Sequence, residues 1–131
     1  MSLPAFALTS PDAKEVFLSA EDLVSYDWAW HRLELCPGAK ARLVERLLGD
    51  LAAGRPFALV AGGQRIYEGV FTSSMSSRTE SGVVIDLAPV DDEPCRVDLQ
   101  LGYPTAAFFR GADPRDDPRV RAALAGLNKL R

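Results

Sequence analysis

Histidine and cysteine are scarce in this chain of 131 residues, which contains one His and two Cys. Zinc sites and thioredoxin-like redox sites need clusters of these residues or a CxxC pair, and the sequence has neither. We therefore predict no metal site. Cys36 and Cys95 lie far apart in the sequence, so they form either two buried free thiols, the interpretation that we favour, or one disulfide.

The common cofactor and nucleotide motifs are also missing. The sequence has no G-x-G-x-x-G, no G-x-x-x-x-G-K-[ST], no H-E-x-x-H and no EF-hand loop, so we predict no cofactor. A net charge of -3 argues against a nucleic-acid partner, because affinity for phosphate backbones depends on clustered Lys and Arg.

Long apolar runs are absent as well. A transmembrane helix needs roughly 20 consecutive apolar residues, and no such run occurs, so we expect no transmembrane segment. The N-terminus lacks a signal-peptide pattern. Residues 1–3 are either native or a remnant of an expression vector. The compartment is therefore open: extracytoplasmic if the N-terminus has been shortened, and cytoplasmic otherwise.

The sequence is 47% hydrophobic and 25% charged. This composition is typical of a globular domain, and we predict a single α+β domain over residues 1–131. Apolar residues recur at helical spacing after Pro37 and Gly38, which predicts a helix over about 39–53. A second helix is predicted over about 117–129, because Asp117 can cap it and Pro118 suits its first position. The predicted architecture is a mostly antiparallel sheet that packs against these two helices.

Alternating apolar and polar residues predict the strands. A hairpin is expected from residues 57–61 and 65–71, since Gly62 and Gly63 suit the tight turn between them. Further strands are predicted over residues 30–35, 83–87 and 97–101. A long exposed hairpin edge can pair with a second copy, so a dimer is an open alternative.

Two segments are candidates for binding. Residues 26–31 form the densest aromatic cluster, and residues 72–82 form a serine-rich loop. Tyr and Trp offer a large contact area at low entropic cost, so they favour a recognition surface where they are exposed. For the aromatics we favour core packing, with a recognition surface as the alternative. For the loop we favour a simple connection, with ligand contact by its hydroxyls and amides as the alternative. The predicted contact set is Trp28, Trp30, Tyr67, Ser74, Met75 and Arg78.

These observations favour a non-enzymatic module that binds a protein or a peptide. One alternative is a domain that binds a small ligand in a pocket under the serine-rich loop. Another is a hydrolase in which His31 activates Ser73, Ser74 or Ser76. In that arrangement Asp27 or Asp86 would orient the imidazole.

One stretch resembles a known family. Residues 33–85 contain Leu-Glu-Leu before a Pro-Gly helix start, then Arg-Pro-Phe-Ala-Leu-Val, a glycine turn, Arg-Ile-Tyr-Glu-Gly-Val-Phe and a serine-rich loop that leads into Val-Val-Ile. This order is similar to the periplasmic head region of SecD-type protein-translocation subunits. The resemblance implies a non-catalytic α+β module that contacts protein chains outside the cytoplasm.

Overall fold

Nine strands and two α-helices account for most of the regular structure in the computed structural model, which describes residues 3–73, 77–87 and 93–131. Two short 3-10 helices, Ala20–Asp22 and Ala106–Phe108, complete it. In chain order the elements are β1 Phe6–Thr9, β2 Val16–Ser19, β3 Leu23–Asp27, β4 Arg32–Leu35, α1 Ala39–Leu47, β5 Arg55–Ala61, β6 Gln64–Thr72, β7 Glu80–Asp86, β8 Arg96–Asp98, β9 Gln100–Tyr103 and α2 Pro118–Gly126.

The strands form two sheets. The larger sheet has the order β2-β1-β5-β6-β7-β9, and the smaller one has the order β3-β4-β8. All pairings are antiparallel except that of β6 with β7, which is parallel. One hydrophobic core joins both sheets and both helices. The predicted α+β class is confirmed.

The hairpin of β5 and β6 lies in the middle of the larger sheet. Gly62 and Gly63 form its turn with positive φ values of 58° and 77°, a conformation that glycine adopts without strain. The prediction of an exposed hairpin edge was wrong, because β1 covers β5 and β7 covers β6. The edges of this sheet are instead β2 and β9.

Helix α1 begins where the sequence predicted and ends six residues early, at Leu47 rather than at residue 53. Gly49 disfavours a continued helix by about 1 kcal/mol relative to alanine. Tight turns follow, in which the Asp50 N–H donates to the Leu47 carbonyl at 2.8 Å. Leu51 stays buried in the core, as the apolar spacing predicts. The same spacing wrongly placed Leu48 on the buried face, since Leu48 is 60% exposed just after the helix ends.

Helix α2 has the predicted start, since the Asp117 carboxylate accepts a hydrogen bond from the Arg119 N–H. It ends at Gly126 rather than at residue 129. Asn128 then adopts a positive φ of 59°, which turns the chain into an extended tail beside β3. There the Tyr26 N–H donates to the Lys129 carbonyl at 2.8 Å, and the Arg131 N–H donates to the Tyr26 carbonyl at 2.8 Å.

The predicted strand over residues 97–101 is divided between the two sheets. Strand β8 pairs with β4, and β9 pairs with β7. Leu99 lies between them and is buried. Cys36 and Cys95 are both free thiols, as we favoured, but the prediction that they are buried was wrong, since both are half-buried. No helix in the described ranges has the length and apolar character that crossing a membrane requires.

Candidate functional site

An open groove of about 360 Å³ runs along β9 beside Trp30. We call it the Trp30 groove. It lies where the smaller sheet, the larger sheet and the segment before α2 meet. Residues that shape it include Trp30, Gln100, Leu101, Pro104, Thr105 and Arg115.

Trp30 is the most exposed large apolar side chain in the described part of the protein, with 65% of its surface accessible. It belongs to a turn over residues 28–31 rather than to the predicted strand, which begins at Arg32. The Arg32 guanidinium lies 5.6 Å from the Trp30 ring centroid, and its Nε donates to Asp98 Oδ1 at 2.8 Å. The ring is thus held beside β8 by a cation–π contact while its other surface faces solvent.

The charged residues around the groove are paired within the chain. Asp98 pairs with Arg32, and Arg115 Nη2 lies 2.9 Å from Asp113 Oδ2. Arg115 also donates from Nη1 to the Leu99 carbonyl at 2.7 Å, which fixes the segment before α2 against the sheets. The side-chain hydrogen bond from Arg115 lowers the pKa of the Asp113 carboxyl below its ordinary value of 3.8.

The Asp113–Arg115 pair gives a pH prediction. Because the folded state lowers the pKa of Asp113, this carboxylate contributes stability above pH 3.8 and loses the contribution as the pH falls through the lowered pKa. We expect Asp113→Asn to be less stable than the wild type at neutral pH, and the difference to shrink below pH 3.8. Urea unfolding at several pH values measures it, and a difference that stays constant down to pH 2.5 would contradict the assignment.

His31 is the last residue of the turn that carries Trp30, and it is only 5% exposed. Its Nε2 is 3.0 Å from Asp116 Oδ1, and its Nδ1 is 2.7 Å from the Tyr26 hydroxyl. Because a carboxylate only accepts, Nε2 donates to Asp116, and Nδ1 is left to accept from the Tyr26 hydroxyl. Burial raises the pKa of Tyr26, which keeps its hydroxyl protonated as this donor.

Both ring nitrogens of His31 are therefore engaged with Tyr26 and Asp116. The orienting carboxylate is Asp116 and not Asp27 or Asp86, so that part of the hydrolase prediction was wrong. Among the three candidate serines, Ser74 and Ser76 lie outside the described residues. The geometry gives His31 a structural role, in which it holds the turn and the start of α2 together.

Three other predicted contact residues, Trp28, Tyr67 and Arg78, are described and do not line the groove. Trp28 is half-buried, with its ring 4.9 Å from that of His31 and 5.9 Å from the Arg121 guanidinium. Tyr67 is half-buried, and its buried hydroxyl has no hydrogen-bond partner among the described residues. Arg78 is exposed, with its Nε 3.6 Å from Glu80 Oε1. Ser74 and Met75 lie outside the described residues. Of the four described members of this set, the structure brings Trp30 alone to the groove.

Sequence reasoning missed Gln100, Leu101, Thr105 and Arg115. Gln100 and Leu101 belong to an alternating pattern that indicates a strand, but nothing in the pattern distinguishes a strand at the edge of a sheet from a central one. Thr105 and Arg115 lie outside any strand, and no sequence pattern singled them out. Across the described ranges, no group of three or more His, Cys, Asp or Glu side chains could hold a metal ion.

The chain matches no family model, no curated protein and no solved structure. The resemblance of residues 33–85 to the SecD head region stays a prediction.

Proposed function

We propose that this protein is a non-enzymatic module that binds a protein or peptide segment in the Trp30 groove. The observation that carries the proposal is the 65% exposure of Trp30 beside an open groove. Exposing a large aromatic ring to water is unfavourable, and Trp is enriched among the residues that dominate binding energy at protein interfaces. Arg32 holds the ring in place, so binding requires little further ordering of this side chain.

The shape of the groove favours a chain segment over a small molecule. Small-molecule sites bury most of their ligand in a concave pocket, whereas the Trp30 groove is open along the edge strand β9. Its volume of about 360 Å³ nevertheless falls within the range of small-ligand sites, roughly 300–1,000 Å³. A small-ligand domain is therefore the second candidate, and saturable thermal stabilisation by a compound from a fragment screen would favour it.

His31 supports the non-enzymatic proposal. A general base needs a ring nitrogen within reach of the nucleophile, and both nitrogens of His31 already have partners. We expect His31 to contribute stability rather than catalysis.

The binding test uses a displayed library of random dodecapeptides selected on the wild-type protein. We expect Trp30→Ala to weaken the selected peptides at least tenfold, about the loss that truncating a central aromatic residue causes, while the protein keeps its melting temperature. Biolayer interferometry with synthetic peptides measures the affinity.

Leu48→Ala is the matched control, because Leu48 is a large apolar residue that is 60% exposed at the far end of α1. We expect this variant to bind like the wild type. Peptides that bind Trp30→Ala as tightly as the wild type, or a selection that enriches no peptide, would contradict the proposed function.

A further inference from the structure

The Trp30 groove occupies an unfilled strand position. Strand β4 pairs with β8 as far as Arg32 opposite Asp98, and the Leu99 N–H then donates to the His31 carbonyl at 2.9 Å. Beyond His31 the chain leaves in the turn that carries Trp30. Strand β9 continues past this point with β7 on one side, and no further strand of the described chain pairs with its other side.

The register shows which backbone groups face this position. In an antiparallel pair, alternate residues point both N–H and C=O toward the same neighbour. The Leu35 N–H donates to the Cys95 carbonyl, and the Leu99 N–H donates to the His31 carbonyl, so the odd-numbered residues from 95 to 99 face β4. The same alternation directs the backbone N–H and C=O of Leu101 toward the groove. It directs those of Gln100 toward its partner Val84 in β7.

We propose that the Trp30 groove binds its partner by strand addition. This inference rests on the proposed function and specifies how the same site works. An extended segment of the partner pairs with the N–H and C=O of Leu101 in line with β4, and it packs an apolar side chain against the exposed surface of Trp30. Backbone pairing supplies affinity and the alternate side chains supply selectivity, as in other cases of strand addition.

The partner segment is uncharged where it crosses the groove. Asp98 and Arg115, the two charged residues that line the groove, are held by Arg32 and Asp113 at 2.8 Å and 2.9 Å. A charged side chain of the partner would have to compete with one of these pairs, and it would lose hydration without gaining a free counter-charge. An apolar side chain has no charge whose hydration would be lost, and it gains contact with Trp30.

The pairing is short, because the chain itself closes the far end of β9. Gly102 lies against the segment after it so closely that a Cβ there would be 2.7 Å from the Thr105 carbonyl oxygen and 2.8 Å from the Phe109 nitrogen. The free edge therefore extends only to Leu101. We expect recognition of a few consecutive residues rather than of a long strand.

The experiment compares each selected dodecapeptide with copies that carry a single backbone N-methyl group, moved one position at a time. N-methylation removes one donor while the side chain is kept. We expect one central position to weaken binding about fivefold or more, the effect of one lost hydrogen bond. N-methylation of its immediate neighbours should be tolerated, because their N–H groups face away from β9.

Amide hydrogen exchange of the protein gives an independent measure. We expect the bound peptide to slow exchange at Leu101 and to leave Gln100 unchanged. Central Asp or Lys substitutions in the peptide should weaken binding, and a central Leu should be accepted. Binding that is lost in Trp30→Ala but tolerates every N-methyl group and leaves Leu101 exchange unchanged would overturn strand addition while the proposed function stands. Binding that does not depend on Trp30 would overturn both.

Discussion

Gly102→Ala is expected to lower the free energy of unfolding by about 3 kcal/mol, through backbone strain and overpacking together. Gly102 has a φ of 77°, which lies in the left-handed region that disfavours any Cβ. The added Cβ would also meet two backbone atoms, the Thr105 oxygen at 2.7 Å and the Phe109 nitrogen at 2.8 Å. Backbone atoms cannot rotate away as a side chain can, so the segment after β9 must shift. Urea denaturation measures the loss.

Gly111→Ala separates the two contributions. Gly111 has a φ of 91°, and nothing lies within 4 Å of its potential Cβ. Its replacement therefore introduces only the conformational strain, which costs about 1–2 kcal/mol. Equal losses in the two variants would show that the close approach of Thr105 and Phe109 contributes nothing.

Local signals were sufficient to predict much of the fold. Asp117 and Pro118 marked the start of α2, and the α+β class followed from the order of apolar patterns. The Asp22 carboxylate accepts from the Ser19 N–H at 2.9 Å, a contact between residues three positions apart. Each of these features depends on residues a few positions apart, so the sequence contains the whole interaction.

Pairings between distant residues could not be predicted in this way. The partner of His31 is Asp116, which is 85 positions away, and any of several aspartates suited the same role. The alternation over residues 97–101 continues unbroken although β8 and β9 belong to different sheets. Alternation indicates only that one face of a strand is buried. The one sequence feature that pointed to the groove at this junction was therefore the aromatic cluster of residues 26–31, which contains Trp30.

The His31 contacts and the Trp30 groove are parts of one arrangement. His31 has a positive φ of 49°, which is uncommon for a residue with a side chain and persists where its surroundings hold it. Tyr26 and Asp116 hold the ring from two sides, and the Leu99 N–H holds the carbonyl. These contacts keep His31 and Trp30 out of β4, which begins at Arg32, and they turn Trp30 outward. The edge of β9 is therefore left open.

Tyr26→Phe is expected to lower the free energy of unfolding by about 2 kcal/mol. Tyr26 is fully buried, and its hydroxyl makes the 2.7 Å contact with His31 Nδ1. Phenylalanine keeps the ring but leaves that nitrogen buried without a partner, which costs about 1–3 kcal/mol. The turn above His31 should then become less ordered, so we also expect weaker peptide binding in the Trp30 groove. Thermal and urea unfolding measure the first effect, and biolayer interferometry measures the second.

Tyr67→Phe is the matched control, because it removes another buried hydroxyl from a large ring. In the part of the chain that the structure describes, the Tyr67 hydroxyl has no hydrogen-bond partner. Burial raises the pKa of this group, so the hydroxyl stays protonated. Its removal therefore breaks no protein contact and relieves the cost of burying an unpaired polar group, about 1–3 kcal/mol. We expect this variant to be as stable as the wild type or more stable, with unchanged peptide binding. A Tyr26→Phe protein as stable as Tyr67→Phe would show that the His31 contact does not order the turn, since the two substitutions differ chiefly in that one hydrogen bond.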